Sequence, residues 1–428
     1  MRAEAVAVGS EDERQGVGPL LRPLAEGQRP LRQQVFERIR AAGTLARVQI
    51  AKDLGVSPAS VTAVTSELME AGLIEEVAVT REGDATSRGR PPVALGVRPD
   101  ARHVAGIKIS DREHTAVVVD LAGRLVASAS VTERLGGRSL ADLLEAADAL
   151  LARVCGAAGV ARGDLSAVGL GVPGFVDAAA GVVHWSPVLR DRDVPLAAAV
   201  AERLGLPVHV DNDANLVALA ELWFGAGRAL SDFAVVTIEH GVGMGLVVNH
   251  RLYRGARGLG TELGHIKVHL DGALCRCGQR GCLEAYVADY ALAREATTAL
   301  DWSYADGRPM GVVLESLFDH AKAGNGAARS IFRRAGRYLA IGLANVVNLF
   351  DPDLIILSGE RMRYDYLYAA DTLAELSSLV LPASRPLPPI EVHAWGDLLW
   401  AHGAAALALS AVTDAMLGAG AAREGAPA

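Results

Sequence analysis

Long hydrophobic runs are missing from this sequence of 428 residues, although half of its residues are hydrophobic. No apolar run approaches the roughly 18 residues that a membrane-spanning helix needs, and the mixed, polar opening residues are not typical of a signal peptide. Net positive charge is missing too, since 42 Lys and Arg stand against 50 Asp and Glu, a net charge of −8. The sequence therefore predicts a soluble, globular, cytoplasmic protein, and it excludes one that coats nucleic acid along its whole length.

Cysteine is also scarce, and three of the 4 cysteines (Cys275, Cys277 and Cys282) lie close together. In a reducing compartment such clustering favours metal binding over a disulfide framework. With His265 upstream, one imidazole and three thiolates make the complete tetrahedral shell of a structural Zn²⁺ site. The CxC pair differs from the usual CxxC spacing, and free thiols beside an incidental histidine are the alternative.

The N-terminal part of the chain contains residues that typically begin and end helices. Residues 1–28 have no sustained periodicity, so we predict a mobile tail there. Apolar spacing between residues 31 and 72 predicts three short helices. Gly55 closes the second, and Ser57 followed by Pro58 opens the third as an N-cap with proline at the first helical position.

Three helices followed by a polar, basic hairpin predict a winged helix-turn-helix over residues 29–98, with double-stranded operator DNA as its partner. The third helix would lie in the major groove, while the arginines and lysine contact phosphates or the minor groove. A three-helix module for dimerisation or protein binding is the alternative. The predicted DNA-binding residues are Arg47, Lys52, Ser57, Ser60, Thr62, Ala63, Arg88 and Arg90.

Beyond Pro99 the pattern changes to strands. HVAGIKIS, TAVVVD and RLVASASV predict three consecutive strands, and DFAVVTIE, GMGLVVN and RLYRGARG repeat that order later. This weak repeat of architecture predicts a duplicated α/β fold whose two lobes face a ligand cleft. The predicted segments are lobe 1 at 99–230, lobe 2 with the zinc loop at 231–396, a C-terminal helix packing on lobe 1 at 397–415, and a tail at 416–428.

The stretch GHIKVHLDGALCRCGQRGCLEAY resembles the signature of the ROK family (repressors, open reading frames, kinases). The preceding winged helix resembles the family's sugar-responsive repressor branch, and the resemblance covers residues 31 to about 415. It implies a two-lobed, actin- and hexokinase-like (ribonuclease H-like) fold with a sugar cleft beside the zinc loop. Because operators present paired half-sites, we expect a homo-oligomer, a dimer or tetramer.

The same resemblance implies a set of sugar-binding residues. HVDNDANLVALAEL matches the family pattern in which an Asn and an Asp bind sugar hydroxyls, here Asn212 and Asp213. GTELGH adds Glu262 and His265, with His265 serving zinc through one ring nitrogen and the sugar through the other, and Glu284 completes the set. Carboxylates and amides suit polyol recognition because they accept and donate hydrogen bonds together. A helix N-cap at the Asn-Asp pair is the alternative, and both roles can coexist.

The nucleotide loops differ from those of ROK kinases. In the DxGGT-type loop of the kinases, Asp holds the metal and glycines admit phosphate, but here Lys108 replaces the Asp, and Ser110 and Asp111 replace the glycines. Lys cannot ligate Mg²⁺, and added side chains crowd the phosphates. The stretch Gly241-Val-Gly243-Met-Gly245 keeps its glycines, which a tight strand turn would also explain, whereas Ser358-Gly359-Glu360 replaces the usual glycine pair.

These departures predict a sugar-responsive transcriptional regulator, a repressor of carbohydrate-related genes, rather than an enzyme. One alternative is an ATP-dependent ROK sugar kinase with an appended DNA-binding arm, in which Asp213 is the general base. Another is a constitutive DNA-binding protein whose zinc domain only dimerises. A further alternative is that the effector is a phosphotransferase protein rather than a small molecule.

Overall fold

The computed structural model describes residues 3–7, 16–20, 29–78, 93–133, 137–300, 310–359, 370–381, 386–393, 396 and 398–418. The chain divides into two compact units. Unit 1 comprises Met1–Leu230 and Leu398–Ala428, and unit 2 comprises Ser231–Asp397. No helix among the described residues is long and apolar enough to cross a membrane.

Unit 1 opens with strand β1 (Ala3–Ala7) and continues with a winged helix. Its elements are α1 (Leu31–Ala42), β2 (Thr44–Leu45), α2 (Arg47–Leu54), α3 (Pro58–Glu70), β3 (Ile74–Ala78) and β4 (Val93–Val97). The strands form a three-stranded antiparallel sheet in the order β2-β4-β3. The predicted wing residues Arg88 and Arg90 lie outside the described residues.

The helices of the winged helix begin and end at the predicted capping residues. Gly55 ends α2 in the left-handed conformation (φ 64°), and the Ser60 amide donates to the Ser57 hydroxyl at 3.1 Å. Val35 and Ile39 of α1 and Val61 of α3 are fully buried. The helical spacing therefore marks the face that forms the core, and the three-helix prediction is confirmed.

The rest of unit 1 is an α/β lobe. Its elements are β5 (His103–Lys108), β6 (Glu113–Asp120), β7 (Leu125–Thr132), α4 (Leu140–Ala158), β8 (Leu165–Val172), β9 (Phe175–Asp177), β10 (Val182–Trp185), α5 (Leu196–Leu204), β11 (Val208–Asn212), α6 (Asp213–Phe224) and the final helix α12 (Leu399–Leu417). The main sheet has the order β1-β7-β6-β5-β8-β11. Strands β5, β8 and β11 are parallel, so their carboxyl ends meet at one edge of the sheet. We call this edge the carboxyl edge.

Two N-terminal segments are ordered, in contrast to the predicted mobile tail. Strand β1 pairs antiparallel with β7, with Ala3 opposite Val131. Further along, the Val17 amide donates to the Arg40 carbonyl at 3.0 Å and the Gly18 amide donates to the Trp223 carbonyl at 2.8 Å. An edge strand such as β7 offers unpaired backbone groups to any extended segment. Local periodicity cannot reveal such pairing, because the partners are distant in sequence.

Helix α12 lies against the sheet and α6 at very short range. A Cβ atom at Gly169 of β8 would lie 1.8 Å from the Ala404 carbonyl oxygen, and one at Gly403 would lie 1.9 Å from the Leu216 carbonyl oxygen of α6. Glycine is the residue type that allows backbones to approach this closely. The C-terminal helix is therefore built into the centre of lobe 1.

Unit 2 repeats the strand order of lobe 1. Its elements are β12 (Phe233–Ile238), β13 (Val242–Val248), β14 (Arg251–Tyr253), α7 (Glu284–Val287), α8 (Asp289–Ala299), α9 (Met310–Lys322), α10 (Gly326–Phe350), β15 (Leu354–Ser358), α11 (Ala370–Leu379) and β16 (Ile390–His393). The sheet order is β14-β13-β12-β15-β16. Leu339 and Leu343 of α10 pack with Val236 and Leu357 in the core of this unit. The predicted duplicated α/β fold is confirmed.

Candidate functional sites

Four side chains of unit 2 converge on one point. His265 ends a 3₁₀ turn, Cys275 and Cys277 lie in the following loop, and Cys282 precedes α7. One potential ligand atom from each lies within 4.8 Å of the others. The Cys277 and Cys282 sulfurs are 3.7 Å apart, and the Cys275 sulfur is 3.8 Å from Nδ1 of His265.

These separations fit a tetrahedral metal ion. Metal–sulfur bonds of about 2.3 Å place two sulfur ligands about 3.8 Å apart in a tetrahedron. Gly281 makes the loop geometry possible, since its φ is 75° and a Cβ atom there would lie 1.8 Å from the His269 carbonyl oxygen. The cluster could therefore bind a metal ion through the four residues that the sequence spacing predicts.

Two neighbours of the cluster were not predicted from the sequence. The Lys267 ammonium donates to the Cys282 sulfur at 2.9 Å, and this hydrogen bond raises the pKa of Lys267. The Tyr290 hydroxyl lies 3.6 Å from the Cys275 sulfur, and it donates to Oε1 of Glu284 at 3.3 Å. Lys267 follows His265 by two residues, so a cation near the thiolates was the available signal in the sequence.

Glu284 connects the metal cluster to the strand β13. Its carboxylate is buried, with Oε1 3.5 Å from the Cys275 sulfur and Oε2 3.4 Å from the Val242 amide that donates to it. A Cβ atom at Gly241 would lie 2.9 Å from the same oxygen. Glycine at this position of the GVGMG stretch thus makes room for Glu284.

Glu262 and Thr261 shape the turn that carries His265. The His265 amide donates to the Glu262 carbonyl at 3.0 Å, while Thr261 takes a left-handed conformation with φ 67°. A β-branched residue in this region is strained, and such strain concentrates at functional sites. Since Nδ1 of His265 faces the cysteines, Nε2 is on the far side of the ring from the cluster.

Asn212 and Asp213 lie at the carboxyl edge of the sheet in unit 1, and Glu262, His265 and Glu284 belong to unit 2. Asn212 is the N-cap of α6, and its side-chain oxygen accepts from the Asn215 amide at 2.8 Å. The capping alternative is therefore observed for Asn212. Asp213 is the first residue of the helix, where its Oδ1 accepts from the Ala214 amide at 2.9 Å.

Lys108 is the charged neighbour of Asp213. Burial raises the pKa of Asp213, and the nearby Lys108 ammonium opposes that shift. Lys108 ends β5, and its ammonium lies 3.7 Å from the ring centroid of Trp400 on α12, a cation–π contact. The resemblance to ROK kinases predicts that Lys108 stands where they have an acidic residue, whereas the fold brings the Trp400 ring beneath its ammonium.

The loop after Lys108 is closed by its own hydrogen bonds. The Ser110 amide donates to Nδ1 of His114 at 3.3 Å, and the Ser110 hydroxyl donates to the Glu113 carbonyl at 2.6 Å. The Glu113 amide donates back to the Ser110 hydroxyl at 3.2 Å, and the Ile109 amide donates to the Gly171 carbonyl at 2.9 Å. Burial lowers the pKa of His114, which favours the neutral ring that can accept this hydrogen bond.

The two other nucleotide-loop segments belong to the sheet of unit 2. Gly243 and Gly245 lie within β13, opposite Thr237 and Val235. Gly359 follows β15 with φ 126°, while Glu360 lies outside the described residues.

The predicted DNA-reading face of α3 is exposed. Ser57, Thr62 and Ala63 are exposed and Ser60 is half-buried, and Lys52 projects from α2 as an exposed side chain. The Thr62 hydroxyl donates to the Pro58 carbonyl at 2.9 Å, so its oxygen remains an acceptor. The outer surface of α3 is therefore small and polar.

Arg47 is engaged inside the winged helix. Its guanidinium donates to the Thr65 hydroxyl at 3.2 Å and to the Glu76 carboxylate at 3.0 Å. These bonds brace α2 against α3 and β3. A phosphate contact by Arg47 would require it to leave them.

The fold and these sites define a winged helix joined to a duplicated α/β domain that carries a cluster of one histidine and three cysteines able to bind a metal ion. The sequence pattern of the ROK family matches residues 104–411, and the chain belongs to that family. It is 29% identical over 384 residues to the N-acetylglucosamine repressor of Escherichia coli O6:H1, which covers 90% of this chain and 93% of that protein.

Two solved structures are similar over most of their length. A ROK family transcriptional regulator, described as a homologue of the E. coli Mlc protein, superposes with a TM-score of 0.74 and 26% identity, covering 90% of this chain and 96% of that one. A ROK hexokinase from Thermus thermophilus gives a TM-score of 0.62 and 33% identity, covering 73% of this chain and 99% of that one. The regulator thus covers more of this chain than the hexokinase does.

Proposed function

We propose that this protein is a sugar-responsive transcriptional repressor whose winged helix binds operator DNA and whose ROK domain binds a sugar or sugar derivative. One observation carries the proposal. In the same unit that presents α3, Asn212 and Asp213 lie at the carboxyl edge of the sheet, where they would bind the sugar, while the loop after Lys108 is closed by its own hydrogen bonds. A ligand can then be bound but not phosphorylated.

The closed loop argues against ATP-dependent phosphoryl transfer. Phosphate sites rely on free backbone amides that point at the ligand, and here the amides of Ile109, Ser110 and Glu113 already donate to protein acceptors. Lys108 replaces the residue that would hold Mg²⁺, and an ammonium cannot ligate a cation. Both features favour sugar binding without phosphoryl transfer.

The DNA-binding proposal assigns α3 to the major groove. Ser60, Thr62 and Ala63 would meet base edges and thymine methyl groups, and the Ser57 end of α3 would face a phosphate. Arg47, Lys52, Arg88 and Arg90 would supply phosphate or minor-groove contacts, with Arg47 exchanging its bonds to Thr65 and Glu76 for a phosphate. A single winged helix buries limited DNA surface, so we propose that a dimer or tetramer engages two half-sites.

We propose that the effector is bound by five residues: Asn212, Asp213, Glu262, His265 and Glu284. Affinity for a sugar can control DNA binding only if the effector binds two protein conformations unequally. The buried Glu284 already accepts from Tyr290 and Val242. To bind a sugar, Glu284 would therefore have to exchange one of these two hydrogen bonds for one from a sugar hydroxyl.

We further propose that the metal is a structural Zn²⁺. One dication with three thiolates and a neutral imidazole carries a net charge of −1, which the adjacent Lys267 ammonium offsets. Metal analysis of the purified chain should give one zinc per chain, and Cys277→Ser should lower this ratio and the melting temperature. Full zinc occupancy in Cys277→Ser would contradict the four-ligand assignment.

The decisive experiment measures DNA affinity with and without sugar. A duplex selected from a random pool by the full-length chain would be titrated by fluorescence anisotropy in the presence of hexoses, pentoses, N-acetylhexosamines and their phosphates. We expect one sugar class to change the dissociation constant at least fivefold. Glu262→Gln and Asp213→Asn should each weaken that sugar's binding, measured by calorimetry, without changing sugar-free DNA binding.

A sugar kinase with a DNA-binding arm is the second candidate, supported by the retained Asp213 and the hexokinase likeness. ATP turnover with any sugar in the panel, abolished by Asp213→Asn, would establish it. Unchanged DNA affinity with every sugar, together with no sugar-induced shift in melting temperature, would favour a constitutive DNA-binding protein.

A further inference from the structure

One arginine of the winged helix is buried in lobe 1. Arg40 of α1 is only 3% exposed, and its guanidinium carbon lies 4.5 Å from the ring centroid of Trp223 on α6 and 5.4 Å from that of Phe36. Its Nη1 donates to the Thr413 hydroxyl of α12 at 2.9 Å. Among the described residues its Nε has no hydrogen-bond partner.

Burial lowers the pKa of Arg40 to about 10, so the guanidinium is still charged at neutral pH. A buried cation with incomplete hydrogen bonding depends strongly on each remaining contact. The Trp223 ring and the Thr413 hydroxyl are therefore important contacts of this buried cation.

The two helices that hold Arg40 both start at the carboxyl edge of lobe 1. Helix α6 begins with Asp213 and ends next to Trp223, and its N-cap is Asn212. Helix α12 carries Trp400, the ring beneath Lys108, in its first turn, and Thr413 in its later turns. The two helices pack closely at Gly403, where an added Cβ atom would lie 1.9 Å from the Leu216 carbonyl oxygen of α6.

Further contacts tie α1 to the far end of α12. Arg32 donates to the Met416 carbonyl at 2.8 Å and to the Leu417 carbonyl at 3.2 Å, where a cation also complements the helix dipole. Gln33 donates to the Asp414 carboxylate at 2.6 Å. The first helix of the DNA-binding domain therefore rests on the last turns of α12.

We propose that Arg40 is a positioning residue that couples effector binding at the carboxyl edge to the orientation of the winged helix. A ligand on Asp213 shifts α6 and α12 as a pair, and Trp223 and Thr413 transmit the shift through the Arg40 guanidinium to α1. The proposal rests on the proposed sugar-responsive function and adds the route of regulation.

The test compares Arg40→Lys with Arg38→Lys in the full-length chain. Lys keeps the charge but cannot contact Trp223 and Thr413 with a planar guanidinium. Arg38 lies on the same helix, and it pairs with Asp53 within the winged helix at 2.6 Å, so Arg38→Lys is the matched control. The measured quantity is the ratio of DNA dissociation constants with and without the most effective panel sugar, N-acetylglucosamine being the first probe.

We expect Arg40→Lys to bind sugar within twofold of the unsubstituted chain while its ratio falls at least fivefold toward one. Arg38→Lys should keep the original ratio. If Arg40→Lys does not fold, Thr413→Val removes the hydrogen bond while keeping similar shape, and the same loss of ratio is expected. Folded variants that bind sugar and keep the full ratio would overturn the coupling role alone. An unsubstituted chain with a ratio of one for every sugar would overturn this inference and the proposed function together.

Discussion

Replacing Gly403 with alanine should destabilise the protein, although the same change normally stabilises a helix. In an exposed helix interior, Gly→Ala gains about 1 kcal/mol. In α12, however, the new Cβ would lie 1.9 Å from the Leu216 carbonyl oxygen, whereas ordinary contact begins at 3.4 Å. The helices would have to separate by the difference, 3.4 − 1.9 = 1.5 Å.

The size of the effect follows from what has to move. The neighbour is the backbone of α6, which cannot turn away as a side chain can. Overpacking a core costs about 1–3 kcal/mol, and a gap of ~1 Å already forfeits up to half of the affected dispersion contacts. With a strain near the upper end, about 3 kcal/mol, and the helix gain of about 1 kcal/mol, we expect a net loss of about 2 kcal/mol.

Urea unfolding followed by far-ultraviolet circular dichroism measures this loss. Gly156 of α4 is the matched control, because a Cβ atom there meets nothing within 4 Å, and Gly156→Ala should gain up to about 1 kcal/mol. If Gly403→Ala stabilised the chain as much as Gly156→Ala does, the close helix contact, and with it the joint movement of α6 and α12, would be refuted.

Two further predictions concern single side chains at the candidate sites. Ser57→Ala removes the cap of α3 and should lower the free energy of unfolding, measured by thermal denaturation, by about 1 kcal/mol. Ser57→Asp keeps a hydrogen-bond acceptor and should be as stable as the parent. Equal stability of all three proteins would show that the cap contributes nothing. Burial raises the pKa of Asp213, so its contribution to stability is present below the usual carboxyl pKa and is lost as pH rises through the folded value. The melting temperature of Asp213→Asn should therefore exceed that of the parent at pH 7, and the difference should shrink as the pH is lowered towards 4. A difference in melting temperature that grows on acidification would contradict this sign.

The local features of the chain could be predicted from its sequence because each is produced by neighbours along the chain. Gly55 and Ser57 mark helix ends through their own backbone and side-chain preferences, and the structure shows both in those roles. The metal cluster is similar, since His265 and three cysteines within a short loop can reach one ion once the loop turns. For these parts, residue type and spacing carried the information.

Other parts of the candidate sites could not be predicted, because their partners are distant in sequence. The hydrogen bonds of Arg47 to Thr65 and Glu76 are an example, because only the packing of α2 on α3 and β3 brings these three residues together. The sequence of residues 1–28 likewise contains no pattern that predicts the pairing of β1 with β7. A side chain or strand of this kind chooses its partner only after the helices and sheets have assembled.

By itself, then, the sequence determined which candidate groups are present: three short helices with small polar residues on the third, a histidine with three cysteines that could bind a metal ion, and the Asn212-Asp213 pair. Only the tertiary structure decided how these are connected. It places Lys108 on Trp400 and buries Arg40 between Trp223 and Thr413. The reason is physical, because cation–π contacts and buried charges depend on distances between elements, and those distances are set by the packing of α12 against the sheet and α6.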